Sequence, residues 1–217
     1  MTIKDIISQL PSKSFAKHTS IIQAGDTPPG IFYLEKGYVK MNSLLSDGRE
    51  ITLNIFKPDS YFPLMWGLSN IRNAFNFQAM TPVLIRLISK DDFSKFIKAH
   101  PDLLLDLTNR VLIGLDGLLF TISHILSGTA YQRIIAALLM FSNRFGEKTP
   151  SGEIIILPLT HQDIANVAAI TRETASLNLE KLRSKGLITQ KNHLFIIPNL
   201  QKLQSESQTD SAELPFF

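Results

Sequence analysis

The spacing of hydrophobic and polar residues changes near residue 89 and divides the chain into two patterns. Before this point, apolar runs at residues 31–41 and 49–56 are bounded by the turn-forming segments AGDTPPG, SDG and KPDS. Short strands at this spacing are typical of an all-β sandwich or barrel. We therefore predict an antiparallel β jelly roll for the first part of the chain.

Beyond Ser89 the hydrophobic period becomes that of a helix. Ser89 is placed to begin one helix and His100-Pro101-Asp102 a longer one, because proline is tolerated in the first helical turn. The longer helix carries apolar residues at alternating heptad intervals, broken only at Thr108: Leu105, Leu112, Leu115, Leu119, Ile122 and Leu126. This seam favours a two-stranded dimer interface, the alternative being a helix that lies on the β domain. Residues 127–129 end the pattern as a predicted hinge, and a further helix is expected over 131–145.

Two short helices are predicted between residues 157 and 186. Thr160 is placed to cap the first, over residues 161–167, with Asp163 as the acidic partner of a capping box. After a three-residue turn, Thr171 with Thr174 begins the second helix. Its buried face is formed by Ala175, Leu179 and Leu182. This arrangement is typical of a helix-turn-helix, whose second helix enters the DNA major groove with its N-terminal end first.

The opposite face of the second helix carries side chains suited to reading bases. Arg172 can bond both acceptors of guanine, and Glu173 can accept from cytosine N4. The same face continues with Ser176, Leu177 and Glu180. After Gly186, apolar runs on either side of residues 191–192 predict a β-hairpin, the wing. The cap and the wing favour DNA binding over the alternative, an ordinary helical hairpin with a solvated Arg-Glu pair.

Charge and composition narrow the class of protein. The 217 residues include 22 Lys and Arg against 19 Asp and Glu, and the basic excess is concentrated in residues 133–202. A basic segment followed by an acidic end is a modest nucleic-acid signature. The absence of cysteine excludes disulfides, iron–sulfur clusters and thiol chemistry, and no His/Glu cluster with metal-ligand spacing is present in residues 19–100. We expect no metal, no cofactor and no enzyme activity.

The most apolar segment, residues 103–126, does not predict a membrane span. It is interrupted by ionisable residues, each of which a bilayer centre would penalise: Asp106, Arg110, Asp116 and His124. The first twenty residues lack the continuous apolar stretch of a signal peptide. We therefore expect a cytoplasmic protein with no membrane partner.

These motifs together make residues 19–198 resemble the Crp/Fnr family of bacterial transcription regulators. The matching segments are TSIIQAGD, IFYLEKGYVKM, HPDLLLDL, YQRII, LTHQDIAN and TRETAS. The resemblance implies an α+β fold with a cyclic-nucleotide-binding-type jelly roll over 1–100, a dimerisation helix over 101–126 and a winged helix-turn-helix over 127–200. A flexible acidic tail is expected over 201–217.

The resemblance also implies partners and residue roles. The expected partners are double-stranded DNA with a pseudo-palindromic operator, a second copy of the chain, RNA polymerase and, as a candidate, a small-molecule effector. The residues implied to read bases are Arg172, Glu173, Ser176 and Leu177. Those implied to approach the phosphate backbone are His161, Gln162, Thr171 and Thr174. Many relatives carry arginine where this chain has Leu177, a residue suited to a thymine methyl group.

The motifs by which members of this family hold cyclic AMP are altered here. The substituted positions are Pro63, Leu64, Asn73, Ala74, Leu118 and Leu119. A cyclic phosphate in a pocket without a cation would be poorly solvated, so we expect no binding of cyclic AMP. The alternative is a one-residue shift that brings Arg72 to the phosphate position.

The altered stretch is rich in aromatic residues. Five of the 19 aromatics of the chain fall in residues 61–77. This enrichment favours a pocket filled by its own side chains, the alternative being an apolar effector. The candidate effector pocket comprises Tyr61, Phe62, Leu64, Met65, Trp66, Asn73, Ala74, Leu118 and Leu119. With such an effector, a second function class stays open, a small-molecule sensor that acts through protein contacts.

Overall fold

The computed structural model describes residues 7–207 apart from Ser8, Asn70, Ser151 and His193. The chain divides into two compact units, and the boundary between Asp116 and Gly117 falls inside its longest helix. Antiparallel sheets occupy the first unit and a helical domain with a small sheet occupies the second. The predicted α+β fold class is confirmed. Within the described residues, no helix has the length and apolar character needed to cross a membrane.

Eight strands are described in the first unit, and they form two four-stranded antiparallel sheets. The strands are β1 (Ser12–Phe15), β2 (Ser20–Ile22), β3 (Ile31–Lys36), β4 (Val39–Leu44), β5 (Glu50–Phe56), β6 (Ser60–Phe62), β7 (Asn76–Ala79) and β8 (Val83–Ile88). One sheet has the order β1-β8-β3-β6 and the other the order β2-β7-β4-β5. Every connection except β4–β5 crosses from one sheet to the other, as expected of a jelly roll.

The space between the sheets is filled by buried apolar side chains from both of them. This core consists of Ile22, Phe32, Leu34, Val39, Phe62, Phe77, Ala79, Val83 and Ile85. The rings of Phe62 and Phe77 stack with their centroids 5.3 Å apart. At the β3–β4 turn, Gly37 has φ +84°, and a Cβ there would lie 2.3 Å from the carbonyl oxygen of Pro82. Glycine is therefore required where the chain turns between the sheets.

Three helices follow or interrupt the strands: α1 (Leu64–Ser69), α2 (Lys90–Ala99) and α3 (Pro101–Ser127). Helix α2 begins as predicted, because the Ser89 side chain accepts a hydrogen bond from the backbone N–H of Asp92. A second buried cluster joins α2 and the start of α3 to β3 and β6: Tyr33, Tyr61, Phe93, Ile97 and Leu107 are among its members. Neither α1 nor β1 is predicted by the sequence, because both are short and β1 is mostly exposed.

Helix α3 leaves the predicted seam uncovered in the single chain. Its six apolar members are all more than two-fifths exposed: Leu105, Leu112, Leu115, Leu119, Ile122 and Leu126. Leu107, which is 2% exposed, is the buried residue of this helix. Contiguous apolar surface of this kind marks an interaction site in a soluble protein. The seam is therefore available to a partner helix.

The second unit contains the end of α3 and eight further described elements. They are α4 (Ala130–Phe145), β9 (Gly146–Thr149), β10 (Gly152–Ile155), α5 (His161–Ala168), α6 (Arg172–Ser184), β11 (Thr189–Lys191), β12 (Leu194–Ile197) and α7 (Leu200–Glu206). Strands β11 and β12 form the predicted wing. The sheet continues through β10 to β9, in the order β11-β12-β10-β9. This extension is not predicted from the sequence, where residues 146–155 carry a weak strand pattern.

Helix α7 corrects the expected flexible tail over 201–217. Asn199 caps this helix by accepting a hydrogen bond from the backbone N–H of Lys202, and Leu203 is fully buried. The expectation is wrong for residues 201–206. The segment is mostly polar, but one buried leucine and one helix cap are enough to hold it as a helix against the domain. The rest of the expected tail, residues 208–217, lies outside the described residues.

Candidate nucleic-acid interface

Helix α5 begins at the predicted capping box. The Thr160 side chain accepts from the backbone N–H of Asp163, while the Asp163 carboxylate accepts from the backbone N–H of Thr160 at 2.8 Å. The helix ends at Ala169, which has a left-handed φ of 53°. The carbonyl oxygen of Ala165 then accepts from the backbone N–H of Ile170 at 3.1 Å. This closes the tight turn of the helix-turn-helix, and Ala165 is fully buried beneath it.

Helix α6 buries the predicted face and exposes the other. Thr171 caps it by accepting from the backbone N–H of Thr174 at 3.2 Å. The side chains of Ala175, Leu179 and Leu182 are fully buried. Arg172, the first residue of the helix, is exposed together with Glu173 and Leu177, and Leu177 is 74% exposed. The N-terminal end of α6 therefore presents a cation, a carboxylate and an apolar group to solvent.

The position of Glu173 in the first turn of α6 keeps its carboxylate ionised. Hydrogen bonding by backbone N–H and then by the Thr171 side chain holds the pKa of Glu173 below its usual value. Backbone N–H groups at a helix N-terminus favour the charged form in this way. Glu173 is thus an acceptor at neutral pH, which is the state that a cytosine amino group requires.

The four residues expected at the phosphate backbone have different surroundings. The hydroxyl groups of Thr171 and Thr174 are hydrogen-bonded to each other, with their oxygens 3.0 Å apart. Gln162 is exposed, and its amide donates to the Asn166 side chain at 2.6 Å. His161 is half-buried, and its Nδ1 lies 2.8 Å from the Ser176 hydroxyl oxygen. The spacing of 15 residues between these last two groups gives no sequence signal for their contact.

The wing is connected to α6 by an arginine. Arg183 forms an ion pair with Glu180 at 2.7 Å and donates to the Gln190 side-chain oxygen at 3.3 Å. Beyond Gln190, Lys191 and Asn192 are exposed at the tip of the hairpin. The sequence does not place Lys191 among the predicted DNA contacts, although its position at the tip of the predicted wing makes it a candidate.

The C-terminal end of α6 is held by helix α7. The Glu206 carboxylate accepts from the Tyr131 hydroxyl at 2.9 Å and pairs with the Lys185 ammonium group. Lys181 lies over the Tyr131 ring, 4.5 Å from its centroid. Gln132, which closes the capping box of α4, also donates to the carbonyl oxygen of Ser207 at 3.0 Å. Helix α7 therefore joins the first turn of α4 to the end of α6.

The candidate effector-pocket residues of β6 and α1 lie in different surroundings. Phe62 lies in the core between the sheets, whereas Tyr61 belongs to the second cluster, where Leu64 and Trp66 pack. Neighbouring residues of a strand point to opposite faces, so Tyr61 and Phe62 cannot line the same cavity. Met65 is 45% exposed. The expected common pocket is wrong for these residues, since β6 separates them.

Asn73 stands at a position where cyclic-AMP-binding members of the family hold the phosphate, and in this chain its side chain has a structural role. It is 5% exposed, and its amide donates to the carbonyl oxygens of Gln23 and Phe75, both at 2.9 Å. Its own carbonyl oxygen accepts from the backbone N–H of Gly25. Both amide protons are therefore engaged in joining two loops. The neighbouring residues Arg72 and Ala74 are exposed.

Leu118 and Leu119, the last two candidate pocket residues, belong to the second unit. Leu118 is half-buried, and Leu119 is one of the exposed members of the α3 seam. Leucine offers no hydrogen-bonding group to a nucleotide base. Neither residue can therefore replace the polar pair that the family resemblance places at this point.

Two protein families match separate parts of this chain. Residues 12–100 match the family described as a cyclic nucleotide-binding domain. Residues 132–206 match the family described as a Crp-like helix-turn-helix domain. The second match ends at the close of α7, in agreement with the packing of Leu203. Together the two matches span about three quarters of the chain.

Related proteins match over most of their length. The chain is 29% identical to the global nitrogen regulator of Synechocystis sp. over 183 residues, which cover 82% of this chain and 80% of that protein. It is 25% identical to the cAMP-activated global transcriptional regulator CRP of Pasteurella multocida, covering 88% and 89%. Among solved structures, a mutant of CooA from Carboxydothermus hydrogenoformans has the same fold, with a TM-score of 0.78 at 22% identity, covering 94% and 90%.

Proposed function

Because this chain belongs to the Crp/Fnr family of transcription regulators, we propose that it binds a pseudo-palindromic operator as a homodimer and reads it with helix α6. The observation that carries the proposal is the N-terminal end of α6, where Arg172, Glu173 and Leu177 are exposed while the side chains that anchor the helix are fully buried. A two-fold dimer places two such helices about one helical turn of DNA apart. RNA polymerase is a proposed partner, and the cytoplasm the proposed location, because the target is DNA.

Each side chain of this interface has a proposed role. Arg172 donates to guanine, Glu173 accepts from cytosine, and Leu177 contacts a thymine methyl group. Gln162, Thr171 and Thr174 approach the phosphates, where hydroxyl and amide groups fix the register without reading sequence. Lys191 contacts the backbone from the wing. Ser176 is proposed to lie on the reading face and His161 to approach the phosphates, and the two side chains share a hydrogen bond.

Replacing Arg172 with alanine is expected to weaken operator binding by about 1–3 kcal/mol and to relax the preference at one base pair in each half-site. The physical reason is the loss of a two-point contact to guanine, which phosphate contacts cannot replace. Fluorescence anisotropy with the selected operator and its single-base variants measures both effects. Lys148→Ala removes an exposed cation from β9 and serves as the control, because it should leave base preference unchanged. An equal loss of affinity on operator and random DNA would refute the assigned role.

The sensor unit is proposed to bind neither cyclic AMP nor cyclic GMP. The proposal is supported by Asn73, whose amide protons are engaged with loop carbonyls, and by leucine at residue 64 where the family places a ribose-binding glutamate. The interior between the sheets is filled by stacked aromatic rings, including those of Phe62 and Phe77. The regulator is therefore proposed to act without a cyclic nucleotide, in contrast to the relative named as cAMP-activated.

Isothermal titration of the full chain with either nucleotide is expected to show no binding in the micromolar range. An anionic phosphate needs a charge partner in a desolvated site, and the substituted motifs supply none. The matched variant is Arg72→Ala, which should give the same flat titration as the unmodified chain. Micromolar binding that disappears in Arg72→Ala would overturn the proposal and assign the phosphate to Arg72.

A further inference from the structure

Strand β11 lies at the edge of the wing sheet and carries Lys191 at its end. It is three residues long, and among the strands that the structure describes it pairs with β12 only. A single short pair of strands is marginally stable by itself. The position of Lys191 therefore depends on the side-chain contacts that hold β11 against the rest of the second unit.

The two faces of β11 carry its inner contact and its exposed cation. Gln190 pairs with Phe195 of β12, and Lys191 pairs with Leu194. Residues directly opposite each other in an antiparallel pair lie on the same face of the sheet. Phe195 is fully buried, so Gln190 faces the interior of the unit, whereas Lys191 lies on the other face and is exposed. A contact to Gln190 therefore holds the strand from its inner side without covering Lys191.

Arg183 provides such an inner contact from the last turn of α6. Its Nη2 donates to the side-chain oxygen of Gln190 at 3.3 Å, and its Nη1 donates to the Glu180 carboxylate at 2.7 Å. The backbone carbonyl oxygen of Arg183 accepts from the backbone N–H of Gly186 at 2.9 Å, where the helix ends. Both terminal nitrogens of the guanidinium group are thus engaged within the unit. The side chain therefore joins the end of α6 to the wing strand.

We infer that Arg183 is a positioning residue, which holds β11 against α6 so that Lys191 reaches a phosphate group of DNA. A lysine releases a counterion from DNA only where its ammonium group lies at the backbone, so the position of the wing sets this contribution. Arg183 acts through Lys191 and does not itself contact a phosphate, because its guanidinium group spans Glu180 and Gln190. This inference rests on the proposed DNA-binding function.

The test measures how steeply DNA affinity falls with salt, because this slope reports the number of phosphate contacts. Fluorescence anisotropy on the operator is repeated over a range of salt concentrations with the full chain. Lys191→Ala should reduce the slope of log affinity against log salt by about 0.9, the value of one phosphate contact. Gln190→Ala removes no charge, yet it should reduce the slope by at least about half as much, because Lys191 is no longer held in place. Thr189→Ala, an exposed neighbour on β11, is the matched control and should leave the slope unchanged.

A double variant distinguishes positioning from a direct phosphate contact. Arg183→Met removes the guanidinium group and keeps a long unbranched side chain. Combined with Lys191→Ala, it should give the slope of Lys191→Ala alone, because both changes remove the same contact. A further decrease in the double variant would show that Arg183 binds a phosphate and would overturn the inference.

Two other results would also overturn the inference. One is a decrease in Gln190→Ala smaller than that stated, and this variant remains the test if Arg183→Met unfolds. The other is an unchanged slope in Lys191→Ala, because Arg183 would then have no phosphate contact to position. The second result leaves the reading role of α6 intact wherever the Arg172→Ala test succeeds, so the failure of this inference and that of the proposed function are distinguishable.

Discussion

Replacing both Leu112 and Leu119 with aspartate is expected to convert the proposed dimer into a monomer and to lower operator affinity by at least about 100-fold. The two leucines lie one heptad apart on α3 and are 54% and 57% exposed in the single chain. In a parallel two-stranded coil each would meet its own counterpart, so the variant would bury like charges at two layers. A monomer contacts only one half-site. Linking two DNA-binding domains raises the affinity for a whole operator by about 100-fold or more, and the variant would lose this gain.

The control for this experiment is Ile113→Asp. Ile113 is also exposed, at 59%, but it lies about 100° round the helix from Leu112 and outside the seam. Analytical ultracentrifugation measures the oligomeric state, and anisotropy with whole and half operators measures the affinity. We expect Ile113→Asp to remain dimeric and the double variant to bind whole and half operators equally. A double variant that sediments as a dimer would show that the chain associates through another surface.

Replacing Leu203 with alanine is expected to destabilise the second unit by about 2–4 kcal/mol, although the residue lies in a polar segment near the C-terminus. The side chain is fully buried, and large-to-small changes at such sites lose both transfer free energy and packing. Its loss would also loosen α7, and with it the contacts of Glu206 to Tyr131 and Lys185. The contacts through which α7 joins the end of α6 to the start of α4 would then be weakened.

Urea denaturation of the full chain, followed by circular dichroism, measures the stability change in Leu203→Ala. Hydrogen exchange locates the effect, and we expect the backbone amides of α4 and α6 to lose protection while those of the jelly roll do not. Gln204→Ala is the matched control, because this neighbour on α7 is exposed and should change stability by less than about 0.5 kcal/mol. If Leu203→Ala and Gln204→Ala have the same free energy of unfolding, α7 does not contribute to the stability of the domain.

The comparison of His161 with Leu203 shows two ways in which local sequence is an incomplete guide. The family resemblance places His161 at the phosphate backbone, whereas its Nδ1 also lies 2.8 Å from the hydroxyl oxygen of Ser176 on another helix. The acidic and polar residues around Leu203 predict a flexible tail, whereas its side chain is fully buried. In both cases the residues that a side chain contacts lie at distant positions of the chain, so local composition does not predict the contact.

The sequence by itself determined the features that depend on short spacing. The caps at Ser89, Thr160 and Thr171 join residues three apart, and the seam of α3 and the buried face of α6 repeat with the helical period. Backbone geometry converts such spacing directly into a hydrogen bond or a common face. The two helices of the helix-turn-helix and the exposure of Arg172 and Glu173 followed from these patterns.

Only the tertiary structure decided which distant groups meet. It engaged the amide of Asn73 with a loop 50 residues away, placed Tyr61 and Phe62 in different clusters and extended the wing through β10 and β9. It also joined His161 to Ser176 across the helix-turn-helix. Hydrogen bonding and packing depend on distance in space, and the chain brings these groups together only when separate elements pack. For that reason the sequence could locate the helix that is proposed to read DNA, while the contact of its Ser176 with His161 depends on the fold.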